Sequence, residues 1–405
     1  MNLAFLESIV RGGYGGSGPL SRNFSIINWA WITLAASLAL SVVGLYAIDL
    51  AEASTIERSP SGTTIRQAVF LCVGMGAAMF AAAPHYRLLR FIAWPSYLVS
   101  IALLVFLLVP FVPESIVTPR NGARGWINMG VADFQPAEVA KIAFVLTMSG
   151  FLRYRREHTQ LRGLIAPGLI AAVPVGLITL QPDLGSASLF VPSLFAMLLA
   201  AGARLRHLVL IVIIATAAAP ASWPILRDHQ KRRFVAIFQQ MLGSDEGAQD
   251  INYQSFTAQR LVGAGRYFGN SDHSTRALVK YNKLPEAHND MVFAVICLRF
   301  GLVGGGLVLL LYLIWAVAAL ATAWCCRDPF GRVMIVGLTT FIGVQVMINI
   351  GMTVGLVPII GVTLPFVSYG GSSMLTSWLM AGLILNAGLR RPDSSMMRDD
   401  LEIPE

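Results

Sequence analysis

A dense group of ionisable side chains lies within the seven residues 284–290, which read Leu-Pro-Glu-Ala-His-Asn-Asp. Glu286 and Asp290 supply two carboxylates and His288 supplies an imidazole, groups that serve as general acids, general bases and metal ligands. An apolar run begins directly after them. Ionisable groups beside hydrocarbon are costly and are usually kept for function. We therefore predict a reaction site at this boundary.

The composition defines the environment in which that group must be positioned. Of the 405 residues, 55% are hydrophobic and 13% are charged, and the mean hydropathy is +0.64. A soluble protein of this composition would expose too much apolar surface, so we predict an all-α polytopic membrane protein. In a membrane protein the basic residues behind the net charge of +8 set the topology and contact anionic lipid. We therefore expect no nucleic-acid partner. The cysteines Cys72, Cys297, Cys325 and Cys326 show neither a disulfide framework nor metal-ligand spacing.

Ten apolar runs are long enough to be membrane spans, since a helix needs about 20 apolar residues to cross ~30 Å of hydrocarbon. The runs cover residues 26–48, 67–83, 91–111, 136–152, 163–180, 184–202, 206–224, 291–322, 333–357 and 371–389. We expect one membrane domain over residues 26–391, preceded by a tail at 1–25 and followed by another at 392–405.

The distribution of arginine and lysine predicts the orientation, because basic residues collect on the cytoplasmic side. With a cytoplasmic N-terminus, the inner connections are rich in arginine, whereas the short outer connections hold only Arg58, Arg66, Arg120 and Arg124. We therefore predict that both termini are cytoplasmic and that residues 284–290 lie on the outer side.

A long outer loop, residues 225–290, separates the seventh and eighth spans. Within it Phe234, Ile237, Phe238 and Met241 recur at helical spacing directly after three basic residues. This pattern is typical of a helix that lies in the membrane surface. It is equally compatible with apolar side chains that pack on the ends of neighbouring spans.

Other polar residues fall on the same predicted side. A guanidinium beside an aromatic ring, as at Arg124 and Trp126, suits a phosphate or sugar ligand, although a tryptophan there also fits an interfacial aromatic belt. Pro136 suits the first turn of a helix, which places Glu138 and Lys141 on one face of a span.

Two further stretches interrupt the regular spans. Asp183, in a very short outer turn, either caps the following helix or contacts a ligand directly. Glycines and prolines between residues 349 and 371 break the ninth span and lead into the tenth. Irregular backbone at membrane depth is tolerated only where it is buried in protein or lines a cavity, so we expect this stretch to border a cavity.

Together these motifs resemble the SEDS family of shape, elongation, division and sporulation proteins. The resemblance extends in order from residue 25 to 391. Its motifs are Gly-Ala-Arg at 122–124, Phe-Gln-Pro-x-Glu at 134–138, Gln-Pro-Asp-Leu-Gly at 181–185, Leu-Pro-Glu-Ala-His at 284–288 and the run 355–373. The runs 349–352 and 361–365 are more similar to elongation members of the family than to division members.

The resemblance implies a SEDS-type fold and a peptidoglycan glycosyltransferase that polymerises lipid II at the outer face of the bacterial cytoplasmic membrane. It also implies a class B penicillin-binding protein as partner, along with other elongation or division proteins. By motif position Asp290 matches the family's essential acidic residue. The substrate-binding candidates are Arg124, Trp126, Glu138, Lys141, Asp183, Glu286, His288, Ser368, Tyr369, Gly370 and Gly371.

In glycan polymerisation the 4-hydroxyl of an acceptor sugar attacks an anomeric carbon while a polyprenyl diphosphate leaves. Asp290 would act as the general base or, as the second choice, as a ligand of a divalent cation such as Mg or Mn. The competing interpretation is that Asp290 only caps the next helix. Arg124 would neutralise the leaving charge. A flippase for the same lipid, or a non-catalytic scaffold for the penicillin-binding protein, stands as the alternative function.

The chain departs from the family pattern at two places. It has His-Asn-Asp at 288–290 where the family usually has His-Thr-Asp, and both middle residues are polar. It has Leu298 and Arg299 where the family usually has acidic residues. On a straight helix Arg299 would lie ~13 Å deeper than Asp290, where a guanidinium needs an anion. We predict a contact between Arg299 and Glu138.

Overall fold

The structure is a computed structural model that describes residues 28–52, 60–113, 115–120, 123–130, 133–153, 160–218 and 253–390. The predictions for the two tails, for Gly122 and for the surface helix at residues 234–241 fall outside this part of the chain.

Helices build the fold, as the apolar runs predict. They are α1 Trp29–Glu52, α2 Gly62–Ala82, α3 Leu89–Leu108, α4 Pro136–Leu152, α5 Ile165–Leu180, α6 Leu184–Ser188, α7 Phe190–Ala200, α8 Leu205–Ala218, α9 Tyr253–Ala264, α10 Asp272–Tyr281, α11 Val292–Cys325, α12 Pro329–Val354 and α13 Gly371–Leu389. Within the described residues seven of them, α1, α2, α3, α5, α11, α12 and α13, are long and apolar enough to cross a membrane. The other three predicted spans correspond to α4, to the pair α6 and α7, and to α8, while α5 is counted among the seven together with the turn Arg162–Leu164 that precedes it. The prediction of an all-α membrane protein with about ten spans is confirmed.

A small antiparallel sheet connects α3 to α4 and was not predicted. Its strands are β1 Val117–Arg120, β2 Ala123–Asn128 and β3 Asp133–Phe134, in that spatial order. The strands are too short to show a periodic pattern in the sequence, and their stability depends on pairing with one another.

The interior of the bundle lies around α4, α7 and α12. The rings of Phe144, Phe190 and Phe341, one from each helix, pack edge to face with centroids 5.2 to 6.1 Å apart. Gly382 of α13 contacts the backbone of Ala78 in α2 so closely that a side chain at this position would overlap it. Close backbone approach at small residues is a common way for helices to associate in a membrane.

The second half of the predicted outer loop is helical and packs against the bundle. Arg276 of α10 is buried, and its Nη2 donates to Asp49 Oδ2 of α1 at 2.7 Å while its Nη1 donates to the Asp49 carbonyl at 2.8 Å. A buried charge needs such a partner, so this contact determines where α10 sits on the end of α1.

The helix α11 is interrupted at Gly301, whose backbone angles are φ 67° and ψ −163°. The turn between α9 and α10 completes the interrupted hydrogen bonding. Leu302 N donates to Arg266 O at 2.8 Å, Val303 N donates to Tyr267 O at 3.2 Å, and Asn270 N donates to Arg299 O at 3.1 Å. The part of α11 after Gly301 is ~36 Å long, which is sufficient to cross the membrane alone. The part of α11 before Gly301 is therefore not needed to cross the membrane, and it belongs to the same region as residues 284–291.

The predicted contact between Arg299 and Glu138 is wrong. Arg299 Nε lies 2.6 Å from Asp272 Oδ1 at the start of α10, and Glu138 instead pairs with Lys141. The prediction assumed a straight helix, but the interruption at Gly301 and the folded outer helices bring Asp272 to Arg299. Burial raises the pKa of Asp272, yet the hydrogen bonds from Tyr46 and Arg299 outweigh it and leave that pKa below its usual value.

We expect Gly301→Ala to lower the free energy of unfolding by at least about 2 kcal/mol. The backbone region that Gly301 occupies is essentially restricted to glycine, and occupying it costs other residues about 1–3 kcal/mol. A Cβ there would also overlap the carbonyl group of Tyr267. Equilibrium unfolding of the purified protein in mixed detergent micelles measures the change.

Gly306→Ala is the matched control for that measurement, because it lies in the same helix with no heavy atom within 4 Å of an added Cβ. Alanine in a helix interior is favoured over glycine by about 0.5–1 kcal/mol, so this variant should be as stable as the native protein or slightly more stable. Equal stability of the two variants would contradict a glycine-dependent interruption at Gly301.

Candidate active site

A cavity of about 980 Å³ lies at the end of the bundle that is predicted to face outward. Ten of the predicted site residues line it, namely Trp126, Glu138, Lys141, Asp183, Glu286, His288, Asp290, Tyr369, Gly370 and Gly371. The two other candidates, Arg124 and Ser368, are not among the described residues that line the cavity.

Asp290 lies in the turn before α11, on the wall of this cavity. The N-cap of α11 is Met291, which makes no side-chain capping bond, so Asp290 does not cap the helix. Asn349 of α12 holds the turn in place, because its Nδ2 donates to Asp290 O at 2.8 Å and to Val362 O at 2.7 Å. The side chain of Asp290 is therefore directed by a backbone that is tied to a membrane helix.

The surroundings of Asp290 disfavour its charged form. Burial, followed by the carboxylates of Glu286 and Asp183, raises the pKa of Asp290 to about 7. A carboxyl group with a pKa near neutral pH accepts and releases protons readily under physiological conditions. This property separates Asp290 from an ordinary surface aspartate.

His288 is held by contacts on three sides. Its Nδ1 lies 2.6 Å from Glu52 Oε1 at the end of α1, and its ring meets the Tyr369 ring edge to face at 5.5 Å. Tyr369 N donates to the His288 carbonyl at 2.9 Å. The contacts orient His288 within the cavity wall. It does not cap α11, and neither does Glu286.

Ser368 lies behind the cavity wall, where it makes hydrogen bonds with the backbone. Its Oγ donates to Asn289 O at 2.6 Å and accepts from Leu364 N at 2.7 Å. These bonds join the turn before α13 to the turn before α11. Ser368 thus connects two walls of the cavity without facing into it.

Glu138 and Lys141 share one face of α4, as predicted from Pro136 at the start of that helix. Lys141 Nζ lies 2.7 Å from Glu138 Oε1 and 3.1 Å from Gln345 Oε1 of α12. Gln345 Nε2 in turn donates to Thr363 O at 2.9 Å. Both ionic side chains are buried, so this network fixes α4 against α12 along the floor of the cavity.

Asp183 caps a helix, one of the two roles that the sequence left open, and its direct contact with a ligand stays a prediction. Its Oδ1 accepts from Ser186 N at 2.9 Å and caps α6, while its Oδ2 accepts from Gln135 Nε2 at 3.3 Å. Asp183 also lines the cavity, where its charge acts on Asp290.

The sheet contributes Trp126 to the cavity but turns Arg124 away from it. Arg124 Nη2 donates to Val112 O at 3.2 Å, in the turn that follows α3. Ser372 Oγ donates to Asp133 O at 2.9 Å and accepts from Gln135 N at 3.1 Å, which joins the sheet to the start of α13.

Sequence reasoning missed several residues that reach the site. Glu52 ends an apolar run, and Arg66 was considered only as a marker of topology. Phe70 lies one helical turn after Arg66 and lines the cavity with it. The spacing of Arg66 and Phe70, four residues apart on α2, was the available signal for a shared face.

The donor groups near Asp290 are compatible with one kind of metal site. Among the described residues no group of three or more His, Cys, Asp or Glu side chains is arranged to hold a metal ion. Mg²⁺ is usually bound by one or two carboxylates and completes its shell with water and substrate phosphates. Asp290 therefore fits a cation that is held partly by a phosphorylated substrate.

Comparison with known proteins decides the family. The family model of the FtsW, RodA and SpoVE cell cycle proteins matches residues 28–391. The chain belongs to this family. It is the SEDS family that the motifs of the sequence resemble.

Individual members of the FtsW, RodA and SpoVE family are similar over most of the chain. Stage V sporulation protein E of Bacillus subtilis is 32% identical over 325 residues, which cover 79% of this chain and 85% of that protein. The probable peptidoglycan glycosyltransferase FtsW of Coxiella burnetii is 32% identical over 376 residues, which cover 89% of this chain and 97% of that protein.

Solved structures of the family share the fold. A chain from a peptidoglycan synthase complex, described as coordinating polymerization and crosslinking, matches with a TM-score of 0.72 and 27% identity over 92% of this chain and 98% of that one. The rod shape determining protein RodA of Thermus thermophilus matches with a TM-score of 0.64 and 26% identity over 92% of this chain and 100% of that one.

Proposed function

We propose that this protein is a peptidoglycan glycosyltransferase that polymerises lipid II into glycan strands at the outer face of the bacterial cytoplasmic membrane. The observation that carries the proposal is Asp290, a carboxyl group with a pKa of about 7 on the wall of a large cavity. The similarity to proteins named peptidoglycan glycosyltransferases supports the same conclusion.

In this reaction Asp290 accepts the proton of the acceptor 4-hydroxyl as the oxygen attacks the anomeric carbon of the donor. The polyprenyl diphosphate leaves with the electron pair of the broken bond. A base of near-neutral pKa is effective because a substantial fraction, about half at pH 7, is deprotonated and is still basic enough to take the proton. The side chains of Trp126, Tyr369 and His288 line the same cavity and offer surfaces for the sugar rings.

The second-choice role of Asp290, in place of general base, is that of a ligand for a divalent cation such as Mg²⁺ or Mn²⁺. Asp290 would hold it together with the diphosphate, and the cation would neutralise charge on the leaving group. The carboxylates of Asp183 and Glu286 lie near enough to Asp290 to favour a positive ion there electrostatically.

The proposal includes a location and a partner. We place the protein in the bacterial cytoplasmic membrane with both termini in the cytoplasm, following the arginine distribution. We propose a class B penicillin-binding protein as partner, supported by the similarity to a chain of a peptidoglycan synthase complex. A role in elongation, together with other elongation or division proteins, follows from the runs at 349–352 and 361–365.

Purified full-length protein with its partner, supplied with fluorescent lipid II, tests the function. A polymerase converts lipid II into glycan chains that separate on a gel and are degraded by a muramidase. A flippase instead moves lipid II across the bilayer of a proteoliposome without making chains, and a scaffold does neither. Transport without chains, or no change in lipid II, would overturn the proposal.

The rate of polymerisation should depend on pH through Asp290. A general base acts in its deprotonated form, so a pKa of about 7 predicts that activity rises with pH and levels off above about pH 8. At pH 6 kcat/KM should be about one-tenth of its plateau. Initial rates across buffers from about pH 5.5 to 9 measure this, and a profile that is flat between pH 6 and 8 would contradict it.

A further inference from the structure

The proposed reaction releases a diphosphate, whose negative charge requires a cation close to the leaving oxygen. The sequence indicated Arg124 for this role, but Arg124 donates to Val112 O and is not among the described residues that line the cavity. A cationic side chain that lines the cavity is better placed than Arg124 to face the diphosphate.

Two residues of permanent positive charge, Arg66 and Lys141, are among the described residues that line the cavity. The ammonium group of Lys141 is already bonded to Glu138 and to Gln345. His288, which is charged only when protonated, is paired with Glu52. In contrast, no hydrogen bond or ion pair within the described part of the chain engages the guanidinium of Arg66. Arg66 is the cation that is available to a ligand.

The position of Arg66 suits a ligand that is anchored in lipid. Ile65 and Val69, on the neighbouring face of α2, have 53% and 55% of their surface exposed, as expected for side chains that contact lipid. Arg66 and Phe70 line the cavity instead. A diphosphate at Arg66 would therefore lie between the bilayer, where a prenyl chain remains, and the cavity, where a sugar would enter.

The helix that carries Arg66 is fixed to the other side of the cavity. Gln67 Nε2 donates to Ser368 O at 2.9 Å, and Gly370 N donates to Gln67 Oε1 at 3.1 Å. These bonds connect α2 to the turn that also positions Tyr369. Ser368 bonds this turn to the turn before α11. Arg66 is thus held at a defined place relative to the turn before α11.

We propose that Arg66 binds the diphosphate of the prenyl-linked donor and neutralises it as it leaves. The inference rests on the proposed function and names the residue that replaces Arg124 in it. A guanidinium is always charged and its planar fork can bond two phosphate oxygens, and because a diphosphate carries more negative charge than a monophosphate, the contact with the diphosphate is the stronger one. As the bond from the anomeric carbon to the diphosphate oxygen breaks, the electron pair stays on that oxygen beside Arg66, and the acceptor proton goes to Asp290.

Binding of farnesyl diphosphate and farnesyl monophosphate to full-length protein in phosphatidylcholine nanodiscs tests the proposal without requiring catalysis. We expect Arg66→Gln to weaken diphosphate binding about tenfold and monophosphate binding about threefold or less. Arg66→Lys keeps the charge but loses the planar fork, so its affinity for the diphosphate should lie between those of the native protein and Arg66→Gln. Arg260→Gln is the matched control, because Arg260 is an exposed arginine of α9 outside the cavity lining, and its loss should leave both affinities unchanged.

Inorganic pyrophosphate as a competitor separates recognition of the diphosphate from recognition of the prenyl chain. Pyrophosphate should displace farnesyl diphosphate from the native protein and much less effectively from Arg66→Gln. Unchanged diphosphate affinity in Arg66→Gln, or an equal loss for both farnesyl compounds, would overturn the proposal. If the native protein makes no glycan but binding still depends on Arg66, the proposed function fails while the diphosphate-binding site at Arg66 stands.

Discussion

Asp290→Asn is expected to lower the rate of lipid II polymerisation by about 10²–10⁴-fold, the usual contribution of a positioned general base. Asparagine has nearly the same shape as aspartate but cannot accept the proton of the attacking hydroxyl. The turn itself should persist, because Asn349 binds the main-chain oxygen of residue 290 and not its side chain. Initial rates with fluorescent lipid II and the partner protein present give the measurement.

Stability provides the control for that variant. Because the folded state raises the pKa of Asp290, stability falls as the pH rises from the pKa of the unfolded chain to about 7, and the full cost of the charged form is present above about pH 7. Below the pKa of the unfolded chain this cost is absent. Asp290→Asn should therefore unfold at the same temperature as the native protein or a higher one at pH 8. Glycan synthesis that is undiminished in a folded Asp290→Asn protein would remove Asp290 from the site.

The second large effect is expected at the buried pair of α4. Glu138→Ala should destabilise the protein by about 3–5 kcal/mol, because it leaves the Lys141 ammonium group buried without its anion. Glu138 and Lys141 are 5% and 1% exposed, so water cannot replace the lost partner. The free energy of unfolding in mixed micelles measures this effect.

A double replacement distinguishes loss of the ion pair from loss of packing. Glu138→Gln combined with Lys141→Met removes both charges at similar volume and should recover most of the stability that Glu138→Ala loses. Ser149→Ala is the matched control in α4, because the Ser149 hydroxyl only donates to Val145 O within the helix, and it should cost less than about 1 kcal/mol. If the double variant is as unstable as Glu138→Ala, the buried charge is not the cause.

The arrangement of these charges suggests how the site is organised. A neutralised pair, Glu138 with Lys141, forms the floor and is tied to α12. Asp290, which is titratable, and Arg66, which has no partner among the described residues, occupy different walls, contributed by the turn before α11 and by α2. Base and cation on separate elements can each face a different part of a substrate that lies between them.

Most of the fold could be predicted because the relevant signal is local. A chain in hydrocarbon must satisfy its own backbone hydrogen bonds, so each apolar run of sufficient length becomes a helix independently of its neighbours. The site motifs could also be recognised in the sequence, since ten of the twelve candidate residues line one cavity. The three strands were missed because four, six and two residues carry too little periodic pattern.

The features that the sequence did not predict depend on contacts between distant parts of the chain. Arg299 was assigned to Glu138 by depth along a straight helix, but the helix is interrupted at Gly301 and Asp272 occupies the guanidinium. The direction of Arg124 depends on a carbonyl group in the turn after α3. Neither the interruption of α11 nor the position of the turn after α3 can be predicted from the spacing of residues around Arg299 or Arg124.

The sequence by itself determined that this is a membrane protein, where its spans lie and which turn carries the acidic residue Asp290. Hydropathy and motif spacing are properties of neighbouring residues, so they can be read without knowing the fold. Only the tertiary structure decided that Glu52 holds His288, that Lys141 is neutralised and that Arg66 faces the cavity with its charge free for a ligand within the described part of the chain. Those facts follow from which side chains meet across the bundle, and the local pattern of the sequence does not record such contacts.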